Sequence, residues 1–592
     1  MAFVQNVTPP QNQKQEFTLN SFVGGLNNRS IHIEDNEASE LLNMKFLHTT
    51  ALEKREGYEH VDELVLPLPI THVSMFKPYT DENEIVRATD EEVYIGTVLV
   101  QTVIGTIDAV NYQGKLFFCD GDTLYAYGDF TTVTSTYVQI VGSHPGVSVT
   151  LKVVNPPTDF IPLEEIHVRG VTVYNYTNGT VHYEPCLNEL NDAYLNSNLL
   201  PEHPRFIVVH KGRLFVSGDK KDDDNVFMTN VSNPFYYAVS LQLQLPPNSD
   251  MVRGMIVFDD NVLIGREYDL YRITGETSNP SLGFELFSLR KINSHTGFAN
   301  NRAIDIAHSY LLFLGSDGVA YSLSTVQMDN RLLSTQILSK QIDLLLTPIS
   351  IQKSEITNAS ACFDTENWYL NVGDITLVYS YRHRAWTTYD GVDMHAQLYD
   401  NDEIIWGRRD GRLARFSTEY TDNGAPIYAY WQSKLFTMDS ATRYKQFREF
   451  YIVAHAFDDT DSEMRVTFEL DHADMRGTMV IENKLSVWGK SKFGDRFVDR
   501  NINASLPFMI GRRARSMRIR FASGYRVSGT VALVSDLDSV SGKLNYVTYY
   551  VTETASYHYY LDGVWTNLSS NEIKQPLRVY EINGEYKIKG KR

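Results

Sequence analysis

Phe206-Ile-Val-Val-His-Lys-Gly-Arg-Leu-Phe-Val-Ser217 is an apolar run, a two-residue polar turn and a second apolar run. Lys211-Gly212 is hairpin chemistry, because a two-residue turn that matches the strand twist needs positive φ, which glycine adopts without steric cost. The pattern returns in Ile107 to Phe118, where Gln113-Gly114 is the turn, and in Met255 to Gly265, Ile304 to Gly315 and Ala396 to Gly407. Most instances precede a further strand-like run, such as Thr123-Leu-Tyr-Ala-Tyr127, Asp269-Leu-Tyr-Arg-Ile273, Gly318-Val-Ala-Tyr-Ser-Leu323 or Gly411-Arg-Leu-Ala-Arg-Phe416. Recurrence every ~45 to 100 residues suits the four-stranded blades of a β-propeller, some carrying insertions. A β-sandwich also has short strands, but not five similar hairpins over ~300 residues.

Outward from this core, the reading assigns an N-terminal arm with the first strands to 1–70 and a propeller of about six to eight blades to 71–430. A β insertion falls at about 131–200, where Asn155-Pro-Pro-Thr158, Val171-Thr-Val-Tyr-Asn-Tyr176 and the turn Asn178-Gly179 interrupt the repeat. After Tyr430 the pattern changes to strict alternation in Lys445 to Val453, Met464-Arg-Val-Thr-Phe-Glu-Leu470 and Ser516-Met-Arg-Ile-Arg-Phe521, as half-buried strands require. This predicts a β-sandwich over 431–540, followed by a C-terminal Tyr-rich extension over 541–592 with Tyr546, Tyr549, Tyr550, Tyr557, Tyr559 and Tyr560. Helical patterns are scarce; Asn36 to Leu47 and Asn188 to Leu200 are the candidates. The fold class is therefore all-β.

Composition bounds the function. Aromatics make up 12% of 592 residues, with 36 Tyr and 29 Phe against 3 Cys, so rings and branched aliphatics rather than disulfides pack the core. Cys119, Cys186 and Cys362 are widely spaced, which fits synthesis in a reducing cytoplasm and offers no metal-ligand spacing. Neither a signal peptide nor an apolar run near ~20 residues is visible, so no membrane span is expected. The net charge of −19 is divided unevenly: residues 431 to 592 hold 24 Lys and Arg against 19 Asp and Glu, leaving 30 against 54 for residues 1 to 430. An acidic body repels phosphate and disfavours gripping DNA, although a wall that does not grip DNA lets it slide.

Candidate chemistry was weighed against turn structure. Asp120 and Asp122, the Asp222-Asp223-Asp224 run, and Asp458, Asp459 and Asp461 are the carboxylate groups a glycosidase would need, but all fall where turns are expected and Asp caps turns through its own backbone. Ser316-Asp317-Gly318 matches part of a sialidase Asp-box, without its Thr-Trp. Asp219 to Asn225 lacks the Gly and terminal Glu of a helix-loop-helix calcium site. His210, His308, His455 and His472 have no zinc spacing, and nucleophile-elbow, phosphate-loop and dinucleotide motifs are missing. The expectation is no enzyme activity, no catalytic residue, no metal and no cofactor. The strongest site-like feature is basic: Arg512, Arg513, Arg515, Arg518 and Arg520, the last two on one strand face opposite Ile519 and Phe521. Their planar forks suit carboxylates or phosphates, and an acidic protein partner is favoured over DNA because no base-stacking platform accompanies them.

Phe22-Val-Gly-Gly-Leu-Asn-Asn-Arg29, an acidic segment with Glu34, Asp35 and Glu37, and Leu52-Glu-Lys-Arg-Glu-Gly-Tyr58 together resemble the N-terminus of β-propeller proteins of bacteriophage tails, in particular the tail-nozzle and packaged-DNA stabilisation proteins of short-tailed phages. Pro204 to Gly218 and Asn233-Pro-Phe-Tyr236 are similar to the same family. The resemblance spans roughly residues 20 to 535. It implies docking through Gly24, Gly25, Leu26, Asn27, Arg55, Gly57 and Tyr58, and a homo-oligomeric ring of six copies in the virion. That ring would meet adaptor and tail fibre or spike proteins, retain packaged genomic DNA and pass it through its lumen without sequence recognition. The alternative is a receptor-binding or tail-fibre propeller that recognises host surface glycan, with or without glycosidase activity.

Overall fold

The fold, taken from a computed structural model, is all-β. Described are residues 14–589 except 30–32, 80–81, 129–148, 154–165, 169–172, 177–178, 183–202, 219–223, 231–232, 238–241, 248–249, 276–286, 293, 295, 325–334, 347–351, 439, 456–461, 472, 482–503 and 542–544.

Among the described residues, seven small sheets follow one another along the chain. Sheet I is His72–Phe76, Glu84–Ala88, Glu92–Ile95 and Val98–Thr102. Sheet II is Asp108–Tyr112, Lys115–Cys119 and Leu124–Gly128, joined in parallel by Val149–Val153. Sheet III begins at Phe206–His210 and Arg213–Ser217, sheet IV at Val252–Phe258 and Asn261–Arg266, and sheet V at Ile304–Ala307 and Tyr310–Leu314. Sheet VI is Ser360–Phe363, Asn367–Val372, Ile375–Ser380 and Ala385–Tyr389. Sheet VII is Ala396–Asp400, Glu403–Gly407 and Leu413–Phe416, and its fourth member is Tyr58–His60 from the opposite end of the chain.

The five hairpins read from sequence are the first two strands of sheets II, III, IV, V and VII. Their turns take the mirror-image geometry that glycine favours: φ is 50° and 69° at Gln113-Gly114, and 48° and 71° at Lys211-Gly212. Asp259-Asp260 and Asn401-Asp402 reach the same region without glycine, since short polar side chains tolerate it. The first strands of neighbouring sheets touch in a cycle. Sheet I meets II, II meets III, III meets IV, V meets VI, VI meets VII and VII returns to I. Sheet IV meets the short helical turn Asn301–Ala303 that leads into sheet V.

The stretch 36–47, expected as a helix, is two strands, Glu37–Leu42 and Met44–Phe46. Its apolar spacing fits a helix, but partners on both sides claim its backbone, and Asn43 at φ 54° breaks the run. The other helix candidate, at 188–200, lies outside the described residues, as does most of the expected insertion apart from short strands such as Val173–Tyr176 and Gly179–His182.

Where a separate arm was expected, residues 14–60 are woven into the body. Glu37–Leu42 pairs with Ala429–Ser433 and, at Leu42 opposite Thr388, with sheet VI. Sheet VI thereby runs on through Ala429–Ser433, Met517–Ser523, Ser462–Leu470 and Ala473–Ile481 as one ten-stranded sheet. A second sheet faces it, in the order Met44–Phe46, Leu52–Lys54, Arg578–Ile588, Lys445–His455, Ala504–Met509, with Lys14–Leu19 also paired to Arg578–Ile588. One apolar core joins the two: Trp431 stacks on Phe521 at 5.2 Å and meets the edge of Phe22 at 5.3 Å, while Phe450 packs on Phe468 at 5.5 Å. The chain after 540, read as an extension, divides in two. Tyr549, Tyr550, Tyr557, Tyr559 and Tyr560 lie in a four-stranded sheet, Arg526–Val531, Val547–Val551, Ser556–Leu561 and Val564–Asn567, with Tyr546 in the turn before it. Its last strand is interior to the facing sheet. Among the described residues no helix is long and apolar enough to cross a membrane.

Candidate functional site

The first strand of each small sheet lines the inside of the cycle, where polar side chains would be costly unless bonded. They are bonded, and mostly to a neighbouring sheet. Asp108 Oδ2 accepts from Ile207 N at 2.8 Å, sheet II to III. Asp305 Oδ2 accepts from Phe363 N at 2.6 Å, sheet V to VI. Asn301 Oδ1 accepts from Met255 N at 2.9 Å, Gln397 Nε2 donates to Ser360 O at 3.1 Å, and Asn111 Nδ2 donates to Met75 O at 2.5 Å. His395 Nδ1 lies 2.8 Å from Ile70 O at the join of VII and I. Burial pushes the Asp108 carboxyl up to about 7 and that of Asp305 up to about 6, against the main-chain N–H groups that favour the ionised form.

Inside the cycle lies a cavity of about 540 Å³ lined by His72, Asp108, Asn301, Arg302, Asp305 and Gln397, among others, and a second of about 330 Å³ that shares His72, Asp108, Asn301 and Arg302. Arg302 reaches across: Nη1 donates to Thr71 O at 2.9 Å, ahead of sheet I, and Nη2 to Asn358 O at 3.3 Å, ahead of sheet VI. The space is of small-ligand size, and an arginine held between non-adjacent sheets spans it. Burial lowers the guanidinium pKa to about 10 and, with the help of Arg302, that of His72 to about 4.

None of these residues stood out in the sequence, although a signal was there. Asp108, Asp305 and Gln397 occupy the same second position in Ile107-Asp-Ala, Ile304-Asp-Ile and Ala396-Gln-Leu, a polar residue recurring in an otherwise apolar strand.

Of the carboxylate groups a glycosidase would need, Asp120 serves a turn. Asp120 Oδ1 accepts from the main-chain N of Asp122 and Thr123 at 2.9 and 2.8 Å, while Oδ2 accepts from Ile104 N and from Tyr125 OH. Asp317 repeats this with Val319 N and Tyr321 OH, and Asp364 with Glu366 N, Asn367 N and Tyr369 OH. Asp122 lies 2.9 Å from His203, and Asp224 pairs with buried Arg266. His210 is buried at the end of its strand, and His308 packs edge-on to Phe363 at 5.4 Å. Cys119 and Cys362 are buried free thiols with raised pKa. Asp222, Asp223, Asp458, Asp459, Asp461, His472 and Cys186 lie outside the described residues.

The residues read as an N-terminal docking unit dock onto their own chain. Gly25 has φ 74°, and a Cβ there would stand 2.7 Å from Ala385 Cβ. Gly24 and Gly57 are as tightly confined, a Cβ on Gly57 meeting Thr421 O at 1.8 Å. Leu26 and Tyr58 are buried, and Asn27 donates to Glu37 Oε2 at 2.8 Å. Arg55, 1% exposed, donates to both Asp422 carboxylate oxygens at 2.8 and 2.6 Å, to Asn43 Oδ1 and to Asp390 O. The basic run divides by strand face: Arg512, Arg513 and Arg515 are exposed, Arg518 and Arg520 half-buried beside buried Ile519 and Phe521. Arg518 pairs with Glu469 at 3.0 Å, Arg515 lies over the Tyr444 ring at 4.9 Å, and Arg520 over Tyr430 at 4.1 Å.

No family model and no curated protein matches the chain. Among solved structures it is similar to the computationally designed Ika8 protein, with TM-score 0.32 and 10% identity over 61% of this chain and 99% of that one. It is also similar to BBS1N, solved in complex with ARL6DN, with TM-score 0.25 and 11% identity over 61% and 97%. Likeness at these scores decides nothing about function.

Proposed function

We propose that the chain is a non-enzymatic structural protein of a bacteriophage tail, a β-propeller of seven blades joined to a β-sandwich, whose copies form a ring around the path of the DNA. One observation carries this reading. The segments that resemble the phage nozzle proteins, around Gly24 to Asn27 and Leu52 to Tyr58, hold the body together: Tyr58–His60 completes sheet VII, Arg55 binds Asp422, and the strand after Gly25 runs between sheet VI and Ala429–Ser433. This supports the propeller-and-sandwich plan that the resemblance implies. In such an assembly the DNA passes along a lumen lined by several chains. Asp120 and Asp317, committed to turns, support a scaffold over a glycosidase.

Particles produced from the genome that encodes this chain provide the test. The protein is expected in purified virions, with antibody against it labelling the tail and the purified particles showing a multi-copy ring. Its absence from purified particles would overturn the reading.

A further inference from the structure

We infer that the space inside the cycle of sheets is a binding site for a small oxyanion, a carboxylate or a phosphate group, held by Arg302. The guanidinium carries five N–H donors, and its two bonds to protein go to main-chain carbonyls, those of Thr71 and Asn358. No carboxylate lies within ion-pair distance of it among the described residues; Asp90 acts on it only through its field. Arg302 is half-buried, and a guanidinium fork is the shape that two oxyanion oxygens match. Arg302 lines both the 540 and the 330 Å³ cavities, so its remaining donors face space where such a group can sit.

The surroundings fit the same ligand. His72 lines both cavities, and its neutral ring carries one N–H donor. Asn300 and Asn301 stand on the turn that presents Arg302, with Asn300 fixed by Oδ1 accepting from Arg302 N and Ala303 N. The two acids that would repel an anion, Asp108 and Asp305, are each bonded to a neighbouring main-chain N–H. The volume admits a small molecule or a single acidic group and excludes a polymer. This inference holds whether or not the chain is a virion component.

Calorimetric titration of the full chain at pH 6.5 with inorganic phosphate, and separately with acetate, tests it. One saturable equivalent per chain is expected for at least one of the two, and the tighter of them names the group. Arg302→Gln should weaken binding at least tenfold, while Arg415→Gln, which removes an exposed pair with Glu59, leaves it unchanged. Should Arg302→Gln fail to fold, the wild-type chain still decides: on titration the imidazole signal of His72 should move, and that of His558 should not. No saturable heat with either anion, equal affinity in Arg302→Gln, or an unmoved His72 signal would overturn the site.

Discussion

The cycle of small sheets and the two-sheet body beside it bury similar kinds of strand and are closed by different physics. Neighbouring sheets of the cycle are stitched at their first strands by single polar side chains bonded to main chain, such as Asp108 to Ile207 and Asp305 to Phe363. The two-sheet body is filled chiefly by rings, Trp431, Phe521, Phe22, Phe450 and Phe468, with neutral hydroxyls such as Thr387, which donates to Met44 O at 2.8 Å, bridging its sheets. A hydrogen bond contributes a modest net amount yet leaves an expensive orphan when one partner is removed, whereas apolar contact scales with area and ignores pH. The cycle should therefore be the pH-sensitive part and the body the part most damaged by loss of volume.

The largest effect expected is in the body. Trp431→Ala removes a fully buried indole and should cost about 3 to 5 kcal/mol, equally at pH 5 and pH 8, in chemical unfolding. A loss that varied with pH would break the distinction drawn above.

In the cycle, Asp108→Ala strands the N–H of Ile207 and should cost about 1 to 3 kcal/mol. Asp108→Asn keeps an acceptor oxygen and removes the titration. The folded carboxyl holds its proton to about 7 against an ordinary 3.8, so between these values the unfolded chain binds fewer protons and stability falls as pH rises. The stability of Asp108→Asn relative to wild type should rise across that window and level off above it. A flat difference from pH 4 to pH 8 would remove Asp108 as the source.

The smallest effects belong to the basic run. Arg518→Glu sets two acids opposite each other, since Arg518 pairs across strands with Glu469, and should cost about 0.2 to 1 kcal/mol. Arg513→Glu, on an exposed position, should change stability by less than about 0.5 kcal/mol. If Arg513 meets an acidic neighbour in an assembled ring, the same change should still reduce incorporation into particles; undiminished incorporation would leave it a solvated strand end.

Local chemistry explains what the sequence disclosed. The Gln113-Gly114 and Lys211-Gly212 turns are written in two residues, and the alternation that puts Arg518 and Arg520 opposite Ile519 and Phe521 needs four. Sheet VI escaped that reading because its first hairpin has no two-residue turn and turns instead through Asp364 to Glu366, with Thr365 at φ 86°. Residues 36–47 misled because the spacing of Ala38, Leu41 and Met44 is shared by a helix and by a twice-paired strand. Arg302 was silent for a different reason. Its partners are the carbonyls of Thr71 and Asn358, and a backbone carbonyl leaves no mark on the sequence at either position. Arg55 reads as one charge in a charged stretch until Asp422 is brought beside it.

Arg578–Ile588 lies between Lys445–His455 and the strands Lys14–Leu19 and Leu52–Lys54. During synthesis, the earliest strands of the chain must therefore wait for nearly the last before their sheet can close. Sheet VII waits as well, since Tyr58–His60 needs Leu413–Phe416. Small sheets such as IV and V, made of consecutive strands, can form as they leave the ribosome, while the N-terminal strands stay unpaired through most of translation. Such long-range pairing is slow and exposes strand edges. Aggregation during expression is then a matter of how long those edges remain open, and it acts on a nascent chain whose finished form has covered them.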